Sequence, residues 1–195
     1  GIDIPGEKRG LLPDAEWKKK VMGSGWYKGG TILLSIGQGY LTVTPLQIAV
    51  LYATIANKGY VYSPHLVKKL VDFSGKNVTP ITGEKRQVTK FPKALIATVA
   101  QDNGTTKVLR TPGMKVAAKS GSAQNPHSKT THAWVAGYFP ADNPEIVFSV
   151  ILEGAGGGGA MGGGMARKFI DKYLEIKNRE NAANENPTNN GEKVN

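Results

Sequence analysis

The sequence contains no cysteine among its 195 residues, which excludes disulfide bonds and thiol chemistry. Its longest strongly apolar stretch, Ile146 to Leu152, is far shorter than the roughly 20 residues that cross a bilayer. Residues 1–7 have neither the basic start nor the apolar centre of a secretion signal, and position 1 is not methionine. We therefore expect the chain to begin inside a longer protein, and these absences leave its compartment open.

Charge is the strongest bias in the composition. The chain has 25 Lys and Arg against 15 Asp and Glu, a formal net charge of +10, and its pI is about 9.7. This balance invites a nucleic-acid hypothesis. However, no run of five basic residues and no basic helix interleaved with aromatics is present, and an acidic substrate or an anionic surface explains the charge as well. We expect no nucleic-acid partner.

Three segments near the C-terminal side have the composition of strands. They are Met114 to Ala118, His132 to Phe139 and Ile146 to Leu152. Turn residues at 140–144 join the last two, and a shorter strand pair is expected between Tyr60 and Val71 with Gly75 in its turn. Short connections between successive strands predict an antiparallel sheet.

Helix signals surround these strands. Thr44 and Pro45 form an N-cap and first-turn pair that predicts a helix to about Lys58, ended by Gly59. Further helices are expected around Pro13 to Val21, from Lys93 to Gln101, and from Met165 to Lys177. The pattern predicts an α+β fold in which helices flank an antiparallel sheet.

Two segments have compositions typical of irregular structure. Residues 154–164 hold eight glycines, but they lack the Lys-Ser/Thr ending of a P-loop and no GxGxxG opens a βαβ unit, so we expect a flexible connector. From Arg179 the sequence is polar without periodicity. We expect one domain over residues 1–178 and a disordered polar tail over 179–195.

The stretch Val116 to Gln124 combines groups that suit a carboxylate ligand beside a strand. Lys119 is a compact cation on a flexible stem, and Ser120 and Ser122 are rotatable hydroxyl donors. Gly121, without a Cβ, allows close approach to the backbone, so that a peptide could pair here as an added strand. A strand ending in a polar turn is the alternative, because K-S-G often occurs by chance.

Several motifs, taken together and in order, resemble class B penicillin-binding proteins, most closely the elongation-type group, penicillin-binding protein 2. The resemblance covers about residues 1–178, with a looser match over 60–87. The motifs are G-I-D-I-P-G-E (1–7), G-L-L-P (10–13), S-I-G-Q-G (35–39), V-T-P-L-Q (43–47), K-S-G-S-A-Q (119–124) and H-A-W (132–134).

The resemblance implies a penicillin-binding or serine β-lactamase-like transpeptidase domain, and the activity of a peptidoglycan D,D-transpeptidase that works by serine acyl transfer. That superfamily carries S-x-x-K, S-D-N and K-T-G motifs. Here only the third is present, with Ser120 in place of its threonine, and no serine is followed by Lys three positions later. We therefore expect the C-terminal part of a transpeptidase domain, inactive alone, with the nucleophile outside this chain.

The resemblance also implies roles for individual residues. Lys119, Ser120 and Ser122 would bind the terminal carboxylate of a D-Ala-D-Ala stem peptide or of a β-lactam, and the backbone N–H of Ser122 would serve the oxyanion hole. Lys119 and Ser122 are thus the catalytic candidates in this chain. Two further substrate-binding candidates are Gly121 and Gln124, and two residues that belong either to the site wall or to the structure are Gln38 and Trp134. The three histidines have no metal-ligand spacing and are assigned no chemistry: His65, His127 and His132.

No cofactor and no metal are expected. The implied partners are the upstream part of the same domain and membrane-anchored proteins of cell-wall synthesis, at the extracytoplasmic face of the cytoplasmic membrane. Two alternatives stay open: a serine β-lactamase or β-lactam sensor of the same fold, and a non-enzymatic basic protein that binds nucleic acid or anionic cell-wall polymer.

Overall fold

The structure, a computed structural model, describes residues 3–76, 78–80, 85–87, 94–125 and 129–185. It combines helices with antiparallel strands, which confirms the predicted α+β class. The helices are α1 Ala15–Met22, α2 Lys28–Ser35, α3 Pro45–Ala56, α4 Ala94–Ala100 and α5 Gly163–Glu185; the strands are β1 Tyr60–Tyr62, β2 Lys69–Val71, β3 Val78–Pro80, β4 Lys85–Gln87, β5 Ala117–Gln124, β6 Thr131–Phe139 and β7 Ile146–Leu152.

The central feature is a three-stranded antiparallel sheet in the order β5-β6-β7. Gly121 of β5 lies opposite Trp134 of β6, which in turn lies opposite Ile151 of β7. The predicted strands are all present, but β5 begins later and continues through Gln124, because β6 offers a partner to each of its residues. Two small antiparallel pairs, β1 with β4 and β2 with β3, stand apart from this sheet.

One face of the sheet carries the hydrophobic core. Phe139 and Val135 of β6 are fully buried together with Ile170 of α5. Phe139 lies with its ring centroid 5.4 Å from that of Tyr173 and 6.1 Å from that of Phe148. Burying side chains of this size stabilises a fold by about 1.5–3 kcal/mol each. Helices α4 and α5 therefore hold the sheet from this side.

Helix α3 begins where the sequence predicts. Thr44 and Gln47 form a capping box: Gln47 N donates to Thr44 Oγ1 at 3.1 Å, and Thr44 N donates to Gln47 Oε1 at 3.0 Å. Pro45 occupies the first turn, where no hydrogen bond to its nitrogen is needed. The helix packs against β6 and β7.

The glycine-rich segment and the tail differ from expectation. Residues 158–162 form a π-helical turn in which Gly158 and Gly162 are buried, so this segment is packed structure and not a flexible connector. Helix α5 then starts at Gly163 and continues to Glu185, well past Lys177. Residues 179–185, which the sequence assigned to the polar tail, belong to this helix in the structure, where an i,i+4 ion pair joins Arg179 to Glu175. The division of the chain at residue 178 into a domain and a tail remains a prediction.

Some predictions fall outside the described residues. These are the first two residues of the chain, the proposed start of α4 at Lys93, one of the three histidines, His127, and residues 186–195 of the expected tail. Within the described ranges, no helix has both the length and the apolarity needed to span a bilayer.

Candidate functional site

Strand β5 forms an outer edge of the sheet, and alternate carbonyls along it are bound by side chains instead of by a strand. Thr98 Oγ1 donates to the Ala118 carbonyl, Lys119 Nζ to the Ser120 carbonyl at 2.6 Å, and Gln38 Nε2 to the Ser122 carbonyl at 3.3 Å. In an antiparallel strand the N–H and C=O of one residue point to the same side. The N–H groups of Ser120 and Ser122 therefore also face this edge, away from β6.

The two serine side chains share one face of β5, because side chains alternate along a strand. On that face, Gly158 N donates to Ser122 Oγ at 3.2 Å. Gly121 lies on the opposite face, beside Trp134: a Cβ built on Gly121 would lie 3.6 Å from the Trp134 Cβ. The strand thus has hydroxyls on one face and an open backbone position on the other.

Lys119 brings an uncompensated positive charge to the same edge. Its side chain is exposed, and its ammonium donates to a neutral backbone carbonyl. In the part of the chain that the structure describes, no carboxylate lies within ion-pair distance of it. The charge is therefore available to an anionic ligand, and the long flexible stem allows the ammonium to follow a carboxylate.

The predicted site residues are brought together as consecutive positions of one edge strand. Lys119, Gly121, Ser122 and Gln124 are exposed and Ser120 is half-buried. Such an edge can accept an extended peptide through main-chain hydrogen bonds while the ammonium and the hydroxyls bind its carboxylate.

The structure gives different positions to the weaker candidates. Gln38 contacts the site strand directly, whereas Trp134 is half-buried in β6 beneath Gly121. His132 has a structural contact, in which its Nδ1 accepts a hydrogen bond from Gly154 N at 3.2 Å. His65 Nδ1 lies 2.8 Å from the carbonyl oxygen of Val67.

The sequence did not reveal two residues that contact β5, the strand that carries the candidate site. Thr98 of α4 binds the Ala118 carbonyl, and Gly158 binds the Ser122 hydroxyl. No local signal marks Thr98. The glycine cluster does carry a signal, since glycine permits close approach of two backbones, but the sequence does not say which backbone is approached.

A separate groove lies elsewhere in the structure and has different chemistry. It has a volume of about 520 Å³ and runs along β7 and α5, at the opposite edge of the sheet from β5. Most of its lining is apolar, and the residues are Val147, Phe148, Ser149, Val150, Met165, Lys168 and Phe169. For an anionic peptide, the hydroxyls and the charged Lys119 ammonium at the β5 edge make β5 the better candidate.

Known proteins match this chain in sequence and in fold. The family model described as penicillin binding protein transpeptidase domain matches residues 1–175. A relative named peptidoglycan D,D-transpeptidase MrdA from Haemophilus influenzae is 36% identical, over 89% of this chain and 30% of its own length. The protein of the same name from Escherichia coli K12 is 31% identical, over 96% of this chain and 33% of its own length. The chain therefore spans about a third of these relatives.

Solved structures of penicillin-binding proteins match the fold of this chain. The crystal structure of Pseudomonas aeruginosa PBP2 in complex with WCK 5153 matches with a TM-score of 0.72 and 33% identity, over 88% of this chain and 40% of that one. PBP2 from Helicobacter pylori in complex with MreC matches with a TM-score of 0.71 and 25% identity, over 90% of this chain and 33% of that one. These matches confirm the resemblance to elongation-type proteins that the motifs carry.

Proposed function

The chain belongs to the penicillin-binding protein transpeptidase family, and from this membership we propose that it is the substrate-binding part of a peptidoglycan D,D-transpeptidase. The observation that carries the proposal is the polar, exposed edge of β5, where Lys119, Ser120 and Ser122 lie together. The relatives' names supply the reaction, and the edge supplies a place for its substrate.

In this proposal the D-Ala-D-Ala end of a stem peptide lies along β5 as an added strand. Its terminal carboxylate binds the Lys119 ammonium and the hydroxyls of Ser120 and Ser122, while Gly121 leaves room for its backbone and Gln124 contacts it farther along the strand. Charge-assisted hydrogen bonds of this kind are about twice as strong as neutral ones. The carboxylate of a β-lactam would occupy the same place.

Acyl transfer then needs a serine from polypeptide outside this chain. Its oxygen attacks the carbonyl carbon of the penultimate D-Ala, a C–O bond forms, and the C–N bond to the last D-Ala breaks as the amine takes a proton. The Ser122 N–H donates to the oxyanion that develops on the carbonyl oxygen. Loss of one such donor in other enzymes costs about 3 kcal/mol of barrier. An amine of a second stem peptide then attacks the acyl carbon, a C–N bond forms, and the C–O bond to the serine breaks as the serine oxygen takes up the proton that the amine loses.

The proposed location is the extracytoplasmic face of the cytoplasmic membrane, with membrane-anchored partners of cell-wall synthesis and no nucleic acid. Two of the matched structures support the partner class: one is a complex of PBP2 with MreC from Helicobacter pylori, and the other is a peptidoglycan synthase complex. The remainder of the transpeptidase domain is the nearest partner, since the chain spans only about a third of its curated relatives.

Labelled penicillin tests the proposal. The full-length protein that carries this chain is expected to form a covalent adduct, whereas residues 1–195 alone form none because the nucleophile is absent. Lys119→Ala in the full-length protein is expected to slow acylation about 10- to 100-fold, the value of one charged hydrogen bond. Lys115→Ala is the matched control, because that exposed lysine pairs with Asp142 at 3.1 Å and lies outside β5.

Other outcomes would select the alternatives. An adduct on the isolated chain would contradict the assignment of the nucleophile to polypeptide outside it. Rapid hydrolysis of the adduct by the full-length protein would favour a β-lactamase. A steeply salt-dependent affinity for anionic polymer that Lys119→Ala leaves unchanged would favour the non-enzymatic alternative.

A further inference from the structure

Ser122 is contacted at two of its atoms by segments that are distant in the sequence. Gln38 Nε2 donates to its carbonyl at 3.3 Å across 84 positions, and Gly158 N donates to its hydroxyl at 3.2 Å across 36 positions. We propose that Gln38 and Gly158 are positioning residues that hold Ser122 so that its hydroxyl proton and its backbone N–H are presented to the substrate. The inference rests on the proposed function of the β5 edge.

The Gly158 contact sets the direction of the Ser122 hydroxyl. A serine hydroxyl has one hydrogen to donate and two lone pairs that accept. A backbone N–H can only donate, so Gly158 occupies a lone pair of Ser122 and leaves the hydroxyl hydrogen for a ligand. An acceptor at the same place would turn that hydrogen away from the edge. Ser122 is therefore prepared as a donor to a carboxylate before the substrate arrives.

Only glycine allows this contact. Gly158 is buried, and a Cβ at its position would lie 2.0 Å from the carbonyl oxygen of Gly121 and 2.5 Å from that of Trp134. Any side chain would push the turn off the sheet and lengthen the bond to Ser122. The turn is also tied to β6, because Thr131 Oγ1 donates to the Gly156 carbonyl at 2.8 Å and Gly156 N donates to the Thr131 carbonyl at 2.9 Å.

The Gln38 contact anchors the backbone of the same residue. Its amide covers the outward carbonyl of Ser122, which fixes that part of the edge and leaves the outward N–H as the group that a substrate can use. The loop that carries Gln38 is itself held. Gln38 N donates to the Leu33 carbonyl at 2.9 Å, and the ring of Tyr40 lies 5.3 Å from that of Trp17 and 5.9 Å from the buried Lys18 ammonium.

The two contacts predict separate kinetic effects, measured as the β-lactam binding constant and the acylation rate constant of the full-length protein. Gln38→Met keeps the length of the side chain and removes its donor. We expect the acylation rate constant to fall about tenfold, the value of one hydrogen bond, with binding changed by less than about twofold. Gln101→Met, at an exposed glutamine just after α4, is the matched control and should change neither constant.

Gly158→Ala is expected to weaken binding about tenfold or more, whereas Gly157→Ala should have no effect, because nothing lies within 4 Å of a Cβ at Gly157. Hydrogen exchange tests the same bond with Gly158 intact. The Gly158 amide should exchange about tenfold faster in Ser122→Ala than in Ser122→Thr, which keeps the hydroxyl. The comparison of the two Ser122 variants tests the bond between Gly158 and Ser122 even if Gly158→Ala does not fold.

Failure of this inference differs from failure of the proposed function. If the wild-type protein forms no adduct with penicillin, the proposed function is wrong. If the wild type reacts but Gln38→Met acylates at the wild-type rate, and the Gly158 amide exchanges equally in both Ser122 variants, then Gln38 and Gly158 do not position Ser122.

Discussion

The outer edge of β5 and the inner side of the same sheet differ in almost every physical property. At the edge, Lys119 and Ser122 are exposed and polar, and the carbonyls of alternate residues contact side chains from other segments. On the inner side, Phe139 and Ile170 are fully buried among apolar neighbours. The proposed binding groups thus lie where they contribute little to stability, and the residues that stabilise the sheet lie away from the ligand.

An exposed edge strand is normally a risk, because it pairs with any extended chain. In this protein the side chains of Thr98, Lys119 and Gln38 each cover one outward carbonyl of β5. These contacts occupy outward carbonyls, and the outward N–H groups of Ser120 and Ser122 are the ones that the proposed substrate would use. The difference between the two regions therefore predicts that variants will separate stability from binding.

The largest effect is expected from Phe139→Ala on the inner side. Removing a fully buried ring leaves a cavity among Phe148, Phe169 and Tyr173, and we expect a loss of about 3–5 kcal/mol in the free energy of unfolding. Urea denaturation of the full-length protein measures it. Phe73→Ala is the control, because Phe73 is fully exposed between β2 and β3 and should change stability by less than about 0.5 kcal/mol. Equal effects of the two variants would contradict the location of the core.

The second largest effect is expected from Lys119→Met at the β5 edge, where the substitution should change acylation and leave stability unchanged. The substitution keeps an unbranched side chain and removes the charge, so acylation should slow about 10- to 100-fold while the urea midpoint stays within the error of the wild type. The two measurements are made on one preparation. If the variant loses stability in proportion to its loss of acylation, Lys119 stabilises the fold as the core residues do, and the proposed difference between the edge and the core is wrong.

Thr98→Val tests the boundary between the regions. Thr98 Oγ1 donates to the Ala118 carbonyl and lies 3.0 Å from Thr106 Oγ1, so the change removes a half-buried hydrogen bond between α4 and β5. We expect a loss of about 1 kcal/mol in stability together with a smaller loss in acylation than Lys119→Met gives. Thr98→Ser keeps the hydroxyl and should recover most of both. An effect on only one of the two properties would assign Thr98 to a single region.

The smallest effect is expected at Glu145, far from the β5 edge. The hydrogen bond from Lys177 is the main reason that the pKa of Glu145 lies below its ordinary value of 4.5. A carboxyl group whose pKa is lowered in the folded state stabilises the fold at pH values above its ordinary pKa. This contribution is lost as the pH falls through the lowered pKa. Thermal unfolding of Glu145→Gln should therefore show a slightly weaker fall in midpoint with acid than the wild type. Acylation should not change, and a change would connect this surface to the site.

The sequence alone predicted the parts of this protein that depend on neighbouring residues. Strand β7 has the predicted bounds and β6 differs by one residue, since alternation and turn residues are local signals. The start of α3 was predicted from Thr44 and Pro45, which act within one turn, and the structure adds the capping-box contact of Gln47. The site strand was found because its motif and those of the rest of the chain occur together in one family. The roles of its residues remain predictions.

Only the tertiary structure decided which distant segments meet. Helix α2 was not predicted because its Lys-Gly-Gly start is a poor helix former, and the glycine segment was expected to be flexible because glycine lowers local propensity. In the fold, that same lack of side chains lets Gly158 approach β5, and a loop 84 residues from Ser122 brings Gln38 to its carbonyl. Local chemistry determined the elements, whereas packing across long sequence separations determined how Ser122 is held.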